Sequence, residues 1–287
     1  MRNYISNHNH TDIKSQFMSN RMAFFGALLL VIMIGMAMVI PLISPYHYSE
    51  QNVSIQNLGT SISHLFGTDK FGRDIFTRVW YGAGISLCVG IFSTILNVMI
   101  GIVLGGIAGY AGGKTDLLLM RFTDIIASIP SLLYVILIML VLGTNMGSMI
   151  LGICVSGWIS LARVVRGEIM KLKEMEFCLA AKVSGVSSSR ILFHHLLKNA
   201  AGPIIVTATL MIPQAIFTES FLSFVGVGIA APMASLGTLI QEARSQILVY
   251  PMQIVYPVLV LCMLSICLNL IGNGLLKAFN PKGEERL

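Results

Sequence analysis

"GISLCVGIFSTILNVMIGIVLGGIAGY", residues 84–110, runs without a single charged side chain. A hydrocarbon core about 30 Å thick needs about 20 apolar residues of helix to cross it, so this stretch can span a bilayer alone. Its apolar character is continuous and does not alternate, which points to a helix and away from a barrel strand. Working outward, five further runs of the same kind appear at 22–43, 117–142, 147–162, 200–225 and 253–276. The expected fold is an all-α integral membrane bundle of six transmembrane helices. Composition agrees: 55% of the 287 residues are apolar and 11% charged, against about 45–50% and about 25% in soluble domains. The run 22–43 lacks a small-residue cleavage site and is too long for a removed signal peptide, so it reads as an anchor. The chain then divides into a polar tail (1–21), the first span, an outer loop (44–83), a five-span core (84–276) and a second tail (277–287). The first tail holds His8 and His10, which a solvated segment explains better than a metal site.

Lysine and arginine gather on the cytoplasmic side of membrane proteins. With the N-terminus inside, segments 1–21, 111–121, 163–199 and 277–287 carry 3, 2, 7 and 3 of the 19 basic residues. Only Lys70, Arg73, Arg78 and Arg244 fall outside. Both termini are therefore expected in the cytoplasm. The net charge of +6 is dispersed over four segments, which argues for topology and against nucleic-acid binding.

The cytoplasmic segment 163–199 contains "MEFCLAAKVSGVSSSRILFHHLLKN", residues 175–199. Phe177, Ala180, Ala181 and Ser184 recur at helical spacing and give a face of small residues. Gly185 suits a left-handed cap, and Ser187–Ser189 offer an N-cap to a second helix, Arg190–Lys198, with an apolar stripe of Ile191, Leu192, Leu196 and Leu197. On physical grounds two uses stand side by side: docking to a protein partner, or lying on the inner leaflet with its lysines near lipid phosphates.

The same stretch resembles the "EAA" loop of bacterial ABC-transporter permeases, through Ala180, Ala181 and Gly185. Leu179 stands where that family usually has glutamate, and Lys198 where it usually has proline. Four other segments resemble the peptide and nickel branch, C-type subunit: "HLFGTDKFGRDIFTRVWYGAGISL" (64–87), "AGYAGGKTDLLLMRFTDIIASIPSLL" (108–133), "ESFLSFVGVG" with "APMASLG" (219–237), and "NLIGNGLLKAFNPK" (269–282). The resemblance implies a type I ABC importer permease fold in a bacterial inner membrane, with 175–199 as a coupling helix. It implies that Phe177, Leu179, Ala180, Ala181, Gly185 and His195 contact an ATPase. The implied partners are a second homologous permease subunit, two ATPase subunits carrying ATP and Mg, an extracytoplasmic binding protein and the lipid bilayer. The implied cargo is di- or oligopeptides, with nickel or a metal chelate as the alternative. A secondary carrier or channel is the competing class; it would need a coupling-ion site of its own.

No enzyme chemistry is expected in this chain. "AGYAGGKT" (108–115) fits a loose phosphate-loop pattern, but it joins two spans and leaves no room for a nucleotide domain. His194 and His195 are adjacent on a helix and diverge by about 100°, so they form no metal face. The five cysteines show no metal or disulfide spacing and read as small buried hydrophobes. Neither a catalytic set nor a cofactor of its own is predicted. Arg121 and Asp124 are expected to pair within one helix. Glu219, with Ser220 and Ser223, is assigned to the translocation path, or else to a hydrogen bond with a neighbouring helix. Asp69, Arg73 and Asp74 are expected to hold a fixed outer loop, with Gly67 and Gly72 at its turns. Gly101, Gly105, Gly106 and Gly109 mark a close helix contact, within the subunit or with a partner.

Overall fold

A computed structural model describes residues 15–279; the tail containing His8 and His10, and the residues from 280 onward, lie outside the described residues. The described residues build helices α1 (Arg21–Ile43), α2 (Ile75–Ala111), α3 (Gly113–Ala127), α4 (Ser131–Leu142), α5 (Met146–Ser156), α6 (Trp158–Leu172), α7 (Glu176–Val183), α8 (Ala201–Val225), α9 (Leu236–Ala243) and α10 (Met252–Phe279). Five pieces are long and apolar enough to cross a membrane: α1, α2, the α5–α6 run Met146–Leu172, α8 and α10. Helices α3 and α4 make a sixth when taken as one span, bent by 74°.

That bend departs from the straight span expected over 117–142. Pro130 has no N–H to give and pushes Ile129 out of helical geometry, so α3 stops at Ala127 and α4 restarts at Ser131. By contrast, Pro41, Pro213 and Pro257 sit inside continuous helices. The second span begins at Ile75, well before the apolar run, because Asp74 caps it: its carboxylate accepts the Thr77 N–H at 2.8 Å. The fourth continues past 162 to Leu172, where its polar side chains find partners.

Helix α2 organises the bundle. Its 37 residues make a rod about 55 Å long, well beyond a hydrocarbon core of about 30 Å. Along one face Gly101, Gly105 and Gly109 press onto α6: a Cβ at these positions would meet Trp158 O at 3.1 Å, Ala162 O at 2.3 Å and Arg166 O at 2.8 Å. The glycine stripe is thus a contact inside the subunit. One apolar core packs Met33 of α1, Val79 and Trp80 of α2 and Leu264 of α10; another packs Val89 of α2, Val135 of α4, Met149 of α5 and Leu222 of α8. The phosphate-loop-like segment forms the turn from α2 to α3, with Gly112 and Gly113 both at positive φ.

Candidate functional site

Charge gathers at the two ends of α2. At its C-terminal end Arg166 donates to Asp116 at 2.5 and 2.6 Å, Arg163 donates to Asp124 at 3.0 Å, and Lys173 donates to the Gly109 carbonyl at 2.9 Å. The expected Arg121–Asp124 pair does not form; Asp124 reaches across to α6, which places an opposite charge closer than its own helix does. This end also holds the 175–199 loop.

In that loop α7 closes with a Schellman turn. Gly185 takes φ +74°, its N–H donates to Lys182 O at 3.0 Å, and the Val186 N–H donates to Ala181 O at 3.1 Å. The second piece starts after Ser187, though no side-chain hydrogen bond from Ser187 caps it, and Ile191–Leu196 winds as a π-helix. The wider turn brings Ile191, Leu192 and Leu196 to one side, where they are buried against α2 and α6. The apolar stripe, expected to meet a partner or the inner leaflet, is therefore largely spent inside the chain. Phe177 and Ala181 also pack against this core, and Cys178 is fully buried. Ala180 and Gly185 are exposed and His195 is half-buried. The face left open is Leu179, 51% exposed, with Val183, 90% exposed.

Glu219, Ser220 and Ser223 are all buried inside the subunit, with no open surface. Ser86 of α2 donates to the Glu219 carboxylate at 2.8 Å, Ser223 at 2.7 Å and Ser220 at 3.1 Å. The backbone N–H of Leu236 donates to Ser86 Oγ at 3.4 Å, which ties in the start of α9. This geometry contains the second of the two expectations, a hydrogen bond between helices. Ser86 carried no signal in sequence, being 133 positions away.

At the N-terminal end of α2, Asp69 accepts Arg73 Nε at 2.7 Å and Arg78 Nη1 at 2.6 Å. Glu242 of α9 accepts Arg73 Nη2 at 2.5 Å and Arg78 Nη1 at 2.8 Å. Asp74 stands apart from this network, capping α2 and pairing with His64 at 2.9 Å. Gly67 and Gly72 hold positive φ, and a Cβ at Gly67 would meet Leu58 O at 2.4 Å.

Between these ends lies a cleft of about 370 Å³, walled by α2, the α3–α4 break, the α5–α6 junction and α8. Asn97, Ser131, Ser156, Ser160, Gln214 and Thr218 are its neutral polar residues and Arg163 its one charge; Ile129, Val135, Ile153, Ile159 and Met211 are among the apolar ones. None of these polar residues stands out in the sequence alone. Among the described residues no group of three or more His, Cys, Asp or Glu side chains is arranged to hold a metal ion.

A long central helix, four further spans, one broken span and a partly open loop at one end define a multi-pass helical membrane protein. The fold is similar to that of a solved structure, "Inward facing conformations of the MetNI methionine ABC transporter", at TM-score 0.56 and 18% identity, over 71% of this chain and 95% of that one. Residues 101–284 match the family "Binding-protein-dependent transport system inner membrane component", and residues 11–59 match "N-terminal TM domain of oligopeptide transport permease C". The chain is 42% identical to the oligopeptide transport system permease protein OppC of Bacillus subtilis (strain 168), over 94% of this chain and 89% of that protein. It is 41% identical to the dipeptide transport system permease protein DppC of the same organism, over 92% and 82%. To OppC of Escherichia coli (strain K12) it is 36% identical, over 94% and 90%. The chain belongs to the binding-protein-dependent transport system inner membrane component family.

Proposed function

We propose that this chain is a transmembrane permease subunit of an ATP-driven importer of di- or oligopeptides, forming half of the translocation path. The observation that carries this is its similarity, along almost its whole length, to permeases named for peptide transport. Peptides therefore take precedence over the nickel alternative. The partner set is a second permease subunit, two ATPase subunits that bind ATP and Mg, and an extracytoplasmic binding protein. The end bearing α7 and the Asp116–Arg166 pair faces the cytoplasm, with both termini; the Asp69–Arg78–Glu242 end faces the binding protein. The excess of lysine and arginine in the segments assigned to the inside supports this orientation.

Deleting the gene is expected to abolish uptake of labelled di- or oligopeptides while nickel uptake, free or chelated, stays normal. Restoring the gene should restore the peptide signal. Loss of nickel uptake alone would sink the peptide assignment.

Coupling to the ATPase runs through the exposed side of α7, since Leu179, Ala180 and Val183 present an apolar surface at an end rich in charge. Val183→Asp places a carboxylate on that surface without touching the core. It is expected to reach the membrane at wild-type level and to cut uptake by at least about tenfold, because a charge in an apolar groove lacks its hydration. Unchanged uptake would remove Val183 from the docking face.

A further inference from the structure

Residues 190–200 leave one side of the cytoplasmic loop without a neighbour. Ile191, Leu192, Leu196 and Ala200 are its buried side, and Arg190, Phe193, His194 and Lys198 occupy the exposed positions between them. Phe193 is 55% exposed, a large aromatic surface in a segment otherwise well packed.

Charge is one-sided here. Between Glu176 and Glu219 the chain holds no acidic residue. All three basic side chains of α6 are met inside the subunit: Arg163 by Asp124, Arg166 by Asp116 and Lys171 by Glu168. Lys173 is spent on the Gly109 carbonyl, and Lys182 lies over the Tyr110 ring, 5.9 Å from its centroid. Among the described residues no acid pairs with Arg190 or Lys198. An exposed ring beside two unmatched cations fits a surface that is apolar and anionic at once.

Depth decides which surface that is. Leu192, on the buried side, lies 3.6 Å from where a Cβ at Gly106 would stand. Gly106 belongs to the uncharged run 84–110, so this turn is level with the membrane-crossing part of α2. Lys198 precedes α8 by three residues. At the start of α8 a Cβ at Gly202 would meet Phe279, where α10 ends, at 2.9 Å. Two spans end at that level, which marks the border of hydrocarbon and water. A phenyl ring enters the hydrocarbon edge there, while arginine and lysine reach lipid headgroups on their flexible stems. The cytoplasmic leaflet carries anionic lipid, which attracts basic residues placed next to a span.

We propose that Arg190, Phe193, His194 and Lys198 form a docking surface for anionic phospholipid of the inner leaflet, and this rests on the cytoplasmic orientation given above. The lipid holds the second half of the loop on the membrane while α7 serves the ATPase. The two uses that the composition of the loop allowed are divided between its halves, at the Gly185 hinge.

The test places a reporter in the surface itself. Phe193→Trp is introduced into the complete transporter, which is reconstituted in nanodiscs. Quenching of the new indole is titrated with acyl-brominated phosphatidylglycerol or phosphatidylcholine, and the wild-type complex supplies the background. Phosphatidylglycerol is expected to bind at least about tenfold more tightly than phosphatidylcholine, from two basic residues at an anionic surface. Adding Arg190→Gln or Lys198→Gln should each weaken it about fivefold, the weight of one such residue. Lys171→Gln, whose charge is already matched by Glu168, should leave it unchanged. Arg190 and Lys198 are both exposed, and either variant alone decides the matter where the other fails to accumulate. Equal quenching by the two lipids shows contact with hydrocarbon alone and overturns the proposal. Quenching by neither places the surface against a protein, the ATPase first, and overturns it too. A phosphatidylglycerol preference in a transporter that carries no peptide leaves this surface standing and removes the peptide assignment instead.

Discussion

Gly105→Val is expected to abolish accumulation of the folded chain. The Cβ of any other residue at 105 would fall 2.3 Å from the Ala162 carbonyl oxygen and 2.9 Å from the Ala162 Cα. Both are backbone atoms, and a Cβ has no rotamer with which to avoid them. Ordinary contact begins at 3.4 Å, so α2 and α6 must part by about 1 Å. That separation also loosens the contacts at Gly101 and Gly109 on the same stripe. Between helices in lipid, close van der Waals packing is the main attraction and no hydrophobic gain replaces it. Overpacking costs typically about 1–3 kcal/mol where side chains can adjust. Here they cannot, and the cost should exceed that range. Gly35→Val is the matched control, because a Cβ at 35 on α1 has nothing within 4 Å. Membrane levels and the thermal midpoint of the purified complex should be near wild type for Gly35→Val and severely reduced for Gly105→Val. Equal behaviour of the two would show that the stripe is not what holds α2 on α6.

The spans were legible because membrane crossing imposes a length and a composition that few other structures share. Direction is another matter. Hydropathy over 117–142 registers apolar content alone, so the turn at Pro130 was visible as a proline and invisible as a 74° bend. The glycine stripe announced a close contact, but spacing on one helix contains nothing about which neighbour fills it.

The loop shows the same division. The Gly185 hinge was readable from local chemistry, since few residues take positive φ at a helix end. The apolar side of the second piece, Ile191, Leu192 and Leu196, was readable too; that it packs on α2 and α6 of the same chain was not, because spacing along one helix does not name the neighbour. Likewise Ser220 and Ser223 were visible beside Glu219, while Ser86 and the Asp124–Arg163 pair are products of tertiary packing. Asn97 and Gln214 passed unmarked as ordinary polar residues within apolar runs; the cleft they line is walled by several helices, so no single run displays it.

Arg78→Met should be the most damaging change at the other end of the bundle. The Arg78 side chain is 3% exposed and joins Asp69 of the outer loop to Glu242 of α9. Methionine retains much of the aliphatic stem but withdraws the charge, leaving two carboxylates to share Arg73. Removing one partner from a buried ionic cluster costs about 3–5 kcal/mol, chiefly because the other charge stays behind without compensation. Asp69 still accepts the N–H groups of Phe71 and Arg73, at 2.8 and 3.0 Å, which places the expected loss near the lower end. That is a large share of the roughly 5–15 kcal/mol that keeps a typical protein folded. The excess negative charge makes a second, opposite prediction. Adding Glu242→Gln to Arg78→Met removes the uncompensated carboxylate, so the double variant should be more stable than Arg78→Met alone. Thermal midpoints of the assembled transporter, compared among wild type, Arg78→Met and the double variant, decide the matter. A double variant less stable than Arg78→Met would mean that lost packing around the Arg78 stem, and not the stranded charge, sets the cost.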